Sequence, residues 1–249
     1  MIPHREISRG LWLIAVGLTC VLGRGLVLPA QSPALEQQIA AISAVEAKNQ
    51  KALAEYIWQE QETITFKGKV QSQRLFEVQP GPHGRISRTP LDLPEGNLSE
   101  TEKNRGMPKW VTEKKKRAVM MSGQELKELA ETYVHFDTES LRRAYERGDV
   151  ADEPTPTGIG VKKLSIHNYV KARDLVTMVF NQKDNAVQTL EASSYLADPG
   201  EPVHILAEFM NARDGLNHVD AITATVPKSH LSVVIRNLSY ERTVPHVNP

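Results

Sequence analysis

From residue 161 onward the chain is organised by alternation. Val203, Ile205, Ala207 and Phe209 take every second position, as do Ile222, Ala224 and Val226, and Leu231, Val233 and Ile235. A period of two puts these side chains on one face of a strand and their polar neighbours on the other. Comparable runs lie at about 161–171, 174–181, 186–196, 203–213, 216–226 and 231–243. They are separated by Arg173-Asp174, Lys183-Asp184-Asn185, Asp198-Pro199-Gly200, Asp214-Gly215 and Pro227-Lys228-Ser229. Asp-Gly is a two-residue hairpin signal, and connections this short join antiparallel strands. A sheet of this kind has one apolar face, and something must cover it.

The first half of the chain supplies the cover. Leu35, Ile39, Ile42, Val45 and Leu53 follow Pro33 at helical spacing, which predicts an amphipathic helix over 34–54. Tyr56, Trp58, Ile64 and Phe66 then share one parity, and Val70, Arg74, Phe76 and Val78 follow the Lys67-Gly68 turn, so two strands are expected. A short third strand is read near 85–90, and the Pro-, Gly- and charge-rich stretch 92–109 as a long loop. Helical spacing returns from Lys109 to Val134, with a weak point at Ser122-Gly123. A second helix over about 138–147 has N-cap chemistry in Asp137-Thr138-Glu139-Ser140 and a stop at Gly148. Residues 149–160 read as a breaker-rich linker.

The N-terminus suggests an address. His4, Arg5 and Arg9 precede the apolar run Leu11–Leu22, and Leu28-Pro29-Ala30 offers a cleavage site. Arg24 interrupts the run, which makes it a poor membrane span. The expectation is a Sec-type signal peptide over 1–30, a single domain over 31–249, and a destination in the periplasm or outside the cell. An uncleaved membrane anchor is the lesser alternative, and lipidation at Cys20 is disfavoured by the residues before it. Cleavage at Ala30 leaves no cysteine, so the domain rests on its core without a disulfide. It also leaves 27 basic against 29 acidic side chains, a net charge of −2. That balance argues against nucleic-acid binding driven by bulk electrostatics.

The expected fold class is α+β: a curved antiparallel sheet of about nine strands, an open half-barrel, covered by the N-terminal helix and a central helical insert. A packed interior and a cavity between helices and sheet are both compatible with this pattern. The hairpin LVTMVFNQKDNAVQTLEASS, the following PVHILAEF and the ending LSVVIRNLSYER resemble the LolA-like superfamily of periplasmic lipoprotein carriers and lipid-binding envelope proteins. The stretch KNQKALAEYIWQEQETITFKGKV, with EKKKRAVM, is similar to uncharacterised exported bacterial proteins. The resemblance covers most of 34–243 and is one of architecture. It implies an apolar hollow able to hold acyl chains. The carriers use an arginine on an early strand; Arg74 lies in a comparable region, and that role is not transferred to it.

Signatures of catalysis are missing: there is no HExxH, CxxC, GxSxG or GxxxxGK[ST]. His218 and Asp220 share a strand face but read as a solvated strand end, and His167 and His204 lie on other strands. Glu60 and Glu62, same-face carboxylates between aromatic residues, read as wet. Neither a metal nor another cofactor is expected. The candidate ligand wall is Trp58, Phe66, Phe76, Ile205, Phe209 and Ile222, with Val203 and Ala207 beside them as lining or core. Lys114, Lys115, Lys116 and Arg117, with Arg74, are candidates for contact with a lipid headgroup, a membrane surface or an acidic partner near the mouth of a hollow. The functional expectation is a non-enzymatic exported protein that binds a lipid or acyl chain. The alternative is an envelope interaction domain without a cavity.

Overall fold

The structure, a computed structural model, describes residues 32–80, 86–91, 109–135, 138–155, 160–212 and 215–243, with backbone alone for 109–112. The expected signal peptide and most of the expected loop 92–109 lie outside the described residues. Ten strands form one antiparallel sheet: β1 (Tyr56–Phe66), β2 (Lys69–Pro80), β3 (Ile86–Leu91), β4 (Val150–Glu153), β5 (Val161–His167), β6 (Leu175–Asn181), β7 (Val187–Tyr195), β8 (Pro202–Asn211), β9 (Asn217–Val226) and β10 (Leu231–Arg242). Their order is β3-β2-β1-β10-β9-β8-β7-β6-β5-β4. Every neighbour pair is consecutive in sequence except β1–β10, where the first strand meets the last. The edges β3 and β4 do not meet, so the sheet is an open half-barrel.

Helices α1 (Pro33–Leu53), α2 (Lys109–Val134) and α3 (Thr138–Glu146) lie against one face. Among the described residues no helix is long and apolar enough to cross a membrane. The alternating residues named above supply the sheet's half of the core: Val203, Ile205, Ala207, Ile222, Ala224, Val226, Leu231, Val233 and Ile235 are all buried. Leu126, Leu129, Ala130, Tyr133 and Val134 of α2 and Ile39 and Ile42 of α1 meet them.

Two interactions fix α2. The weak point at Ser122-Gly123 does not break the helix. A Cβ at Gly123 would sit 2.9 Å from Cδ1 and Cγ2 of Ile64, so the missing side chain lets α2 approach β1 closely. Ten residues on, the Tyr133 hydroxyl donates to Asp174 Oδ2 at 2.6 Å and lies 2.7 Å from Ser194 Oγ. Asp174 is fully buried and accepts three backbone N–H bonds, from Tyr169, Val170 and Lys171, at 2.7–2.9 Å. One carboxylate therefore closes the β5–β6 turn and anchors the end of α2. Its partners satisfy a charge that would otherwise be costly to bury.

The stretch 149–160 differs from its expected role as a linker. It contains β4, which pairs with β5 from Val150↔Ile166 to Glu153↔Lys163 and forms one sheet edge. Only Val150 of β4 is buried, so backbone pairing, not apolar alternation, makes this strand. Gly148, at φ +79°, ends α3 as expected and turns the chain into it.

Gly123→Ala is expected to lower stability by about 1–3 kcal/mol through overpacking, outweighing a gain in helix propensity of about 1 kcal/mol. Urea unfolding measures the loss. A double-mutant cycle with Ile64→Val should show favourable coupling, because valine lacks Cδ1 and removes one of the two close contacts. A rise in stability for Gly123→Ala alone would show that the contact is not limiting.

Candidate functional site: a cavity with a charged floor

α2 runs antiparallel to β1: Gly123 lies over Ile64, Lys127 over Glu62 and Glu60, and Glu131 near Glu60. This register brings a charged cluster together inside the fold. Glu60 and Glu62 have the same parity as Tyr56, Trp58 and Ile64, and they point inward with them, 4% and 5% exposed. The expectation that they are wet is overturned. β1 is not an outer strand, since it has β2 on one side and β10 on the other.

Partners from three elements surround them. Arg88 on β3 grips Glu60 with two bonds, Nε to Oε1 at 2.8 Å and Nη2 to Oε2 at 3.1 Å. The same Nη2 donates to Glu131 Oε1 at 2.6 Å. Lys127, 6% exposed, is bonded to Glu62, lies 3.4 Å from Glu60 Oε1 and has the Phe76 ring 5.8 Å away. Burial works against the Arg88 charge, but Glu60 and Glu131 more than offset it and raise its pKa. Three carboxylates face two cations, leaving one net negative charge.

Beside this cluster lies a cavity of about 340 Å3 between α1, the end of α2 and the concave face. Its apolar wall includes Leu53, Trp58, Ile86, Val134, Phe209 and Ile222. Glu60, Arg88 and Glu131 form its charged floor, and Asn217, His218, Asn237 and Tyr240 add polar groups.

Two irregularities shape this end of the sheet. Between Ile57↔Glu241 and Gln59↔Leu238, β10 has one residue more than β1. Ser239 takes φ +54° there, and the bulge brings Tyr240 to the inner face. Its ring stacks on Trp58 at 5.3 Å and touches the His218 ring at 3.9 Å. Burial, with the charges of Glu60 and Asp220, raises the Tyr240 pKa, so its hydroxyl keeps its proton at neutral pH and donates to the Val219 carbonyl at 3.1 Å. On β9, Asp220 is the extra residue between Glu208↔Ala221 and Phe209↔Val219. His218 is therefore not a free strand end, as expected, but part of the cavity wall. Among the described residues no three His, Cys, Asp or Glu side chains come together to hold a metal ion.

The expected wall residues separate. Trp58, Phe209 and Ile222 line the cavity. Ile205 is packed in the core, and Phe76 lies beneath Lys127. Phe66 lines a smaller hollow of about 190 Å3 with Val119, Leu196 and Leu231, at the opposite end of β1. Lys114, Lys115, Lys116 and Arg117 are exposed toward that end, and Arg74 is exposed on β2. Arg117 is ten residues before Lys127, roughly 15 Å along the helix. The basic run is therefore remote from the main cavity and nearer the smaller hollow, which Ala118 and Val119 help to line. A wider and more open depression of about 590 Å3 is lined by Thr132, Arg143, Arg147, Tyr169 and Val170.

Lys127→Met should cost about 3–5 kcal/mol, because Glu62 is left as a buried, uncompensated charge. Adding Glu62→Gln should restore part of it; chemical denaturation of both variants measures this. Glu46, on the cavity wall, has its pKa raised by burial, against the bond from Gln50 and the attraction of His135. A raised carboxylate pKa means that ionisation penalises the folded state. Glu46→Gln should therefore raise the melting temperature near pH 7, with the gain vanishing as pH falls below the ordinary carboxylate range. A gain independent of pH would rule out this origin.

No family model matches the chain, and no curated protein does. Solved structures similar to it include two that cover most of the chain. A DUF1329 family protein from Desulfovibrio piger is 10% identical with a TM-score of 0.39, over 84% of this chain and 94% of that one. A LolA superfamily protein from Nitrosomonas europaea is 10% identical with a TM-score of 0.33, over 82% of this chain and 94% of that one.

Proposed function

We propose that this is a non-enzymatic exported protein that binds a lipid or acyl chain in the cavity between α1, α2 and the concave face. The observation that carries the reading is the cavity itself. At about 340 Å3 it lies at the lower end of the range of roughly 300–1,000 Å3 typical of small-molecule sites. Its exposed lining is mostly apolar by area, with aromatic and aliphatic side chains beside charged and polar groups from the helices and the sheet. That mixed lining suits an amphipathic ligand, its chain along Phe209, Ile222 and Val134 and its head toward the polar groups.

The N-terminal sequence supports export, with a Sec-type signal over 1–30 and a periplasmic or secreted location. The exposed basic run on α2 suits a peripheral contact with an anionic membrane, remote from the cavity and so compatible with an occupied site.

Native mass spectrometry of the exported protein, with organic extraction alongside, tests the reading. The expected result is a discrete added mass that extracts into solvent and is lost when Ile222→Trp fills the cavity. A protein that stays ligand-free when challenged with phospholipids, fatty acids and monoacylglycerols would overturn it and favour an envelope interaction domain.

A further inference from the structure

Among the described residues, three buried side-chain polar atoms have no hydrogen-bond partner, and two belong to this cavity's wall: Trp58 Nε1 and Asn237 Oδ1. Buried polar atoms are nearly always paired, so two together at a cavity call for an explanation. The indole N–H is only a donor. The orientation of the Asn237 amide is set by its nitrogen, which donates to the Val219 carbonyl at 3.2 Å and leaves the oxygen as the unused acceptor. Trp58 is held by its stack on Tyr240. Two residues of the wall therefore hold one spare donor and one spare acceptor.

The charge around them restricts what can answer. The cations nearest the cavity, Arg88 and Lys127, are already engaged by Glu60, Glu62 and Glu131. Glu46 adds a further acid to the wall. A ligand carboxylate or phosphate would meet a surplus of negative charge and no uncommitted cation of this cluster. It would also offer Asn237 Oδ1 no proton.

We infer that the cavity selects an amphipath with an uncharged head that both donates and accepts hydrogen bonds, a hydroxyl or a primary or secondary amide, over a fatty-acid carboxylate. The inference rests on the proposed binding of an acyl chain and adds the class of head group. The head accepts from Trp58 Nε1 and donates to Asn237 Oδ1. Both atoms are sealed from solvent in the empty protein, so the contact requires each side chain to turn toward the cavity as the ligand enters. A site with unpaired polar groups discriminates strongly against a ligand that leaves them unpaired.

The test is isothermal titration of the delipidated protein at pH 7.5 with monodecanoylglycerol and with decanoate, each below its micellar concentration. The monoacylglycerol should bind about tenfold more tightly or better. Trp58→Phe keeps the ring and loses the donor; Asn237→Leu loses the acceptor. Each should weaken the monoacylglycerol about fivefold or more, and clearly more than it weakens decanoate, so that the preference narrows. Circular dichroism confirms folding, and either variant alone suffices if the other fails to fold. Decanoate binding as tightly as the monoacylglycerol would overturn the inference and leave the acyl-chain reading standing. A preference retained in both variants would overturn the assignment to these two atoms. Binding of neither lipid would overturn the proposed function and the inference together.

Discussion

Two glutamates on the concave side of β1 dictate what can pack above them. An apolar helix surface laid over Glu60 and Glu62 would strand two charges in a low-dielectric interior, at several kcal/mol each. The helix that does lie there places Lys127 between them, and β3 reaches over with Arg88. The requirement fixes the register of α2 along β1, because moving the helix by one residue would rotate Lys127 away. Gly123 and Tyr133, on either side of it, hold the same register by steric and hydrogen-bonding means. Such a cluster contributes more to uniqueness than to raw stability, since apolar residues of similar volume could have filled the same space.

The cavity follows from this arrangement together with the two bulges. Strands β9 and β10 each carry an extra residue at the end of the sheet where α2 finishes. Extra residues sharpen local twist and redirect side chains, and here they bring Tyr240, Val219 and Asn217 round to the interior. The helices end before they fill the space that this curvature creates. The hollow is thus bordered by the charged cluster as well as by aliphatic and aromatic side chains, which is why its lining is mixed in character.

Much of the fold was legible because most strands are half-buried, and alternation reports half-burial directly. β4 escaped for the same reason: it buries Val150 alone and is held by its ladder to β5, which no side-chain pattern records. The glutamates illustrate a different failure. Their parity with Trp58 and Ile64 already placed them indoors, but a general preference of carboxylates for water was allowed to override it. Their partners lie 28 residues away in Arg88 and 67 in Lys127 from Glu60, and spacing offers no route to them. The bulges at Ser239 and Asp220 were invisible too, so Tyr240 and His218 could not be assigned to the wall. The direction of α2 relative to β1, which takes the lysine run to the far end, is a tertiary choice that helical periodicity leaves open.

The pairing of the first strand with the last has a consequence for how the molecule is made. Tyr56 meets Arg242 and Phe66 meets Leu231, across 186 and 165 residues of chain. Every other pair in the sheet is between neighbours in sequence and can form as the chain emerges. The β1–β3 meander and the β4–β10 meander are therefore two locally encoded halves, joined by one contact of very high sequence separation. Closing that contact is the slow, entropically demanding event in such a topology. The cavity draws its wall from both halves, Trp58 from the first and Tyr240 from the second. Until the C-terminal strand docks, the half-made sheet presents the unpaired edge of β1 to its surroundings. That interval is when association with another chain competes most directly with folding.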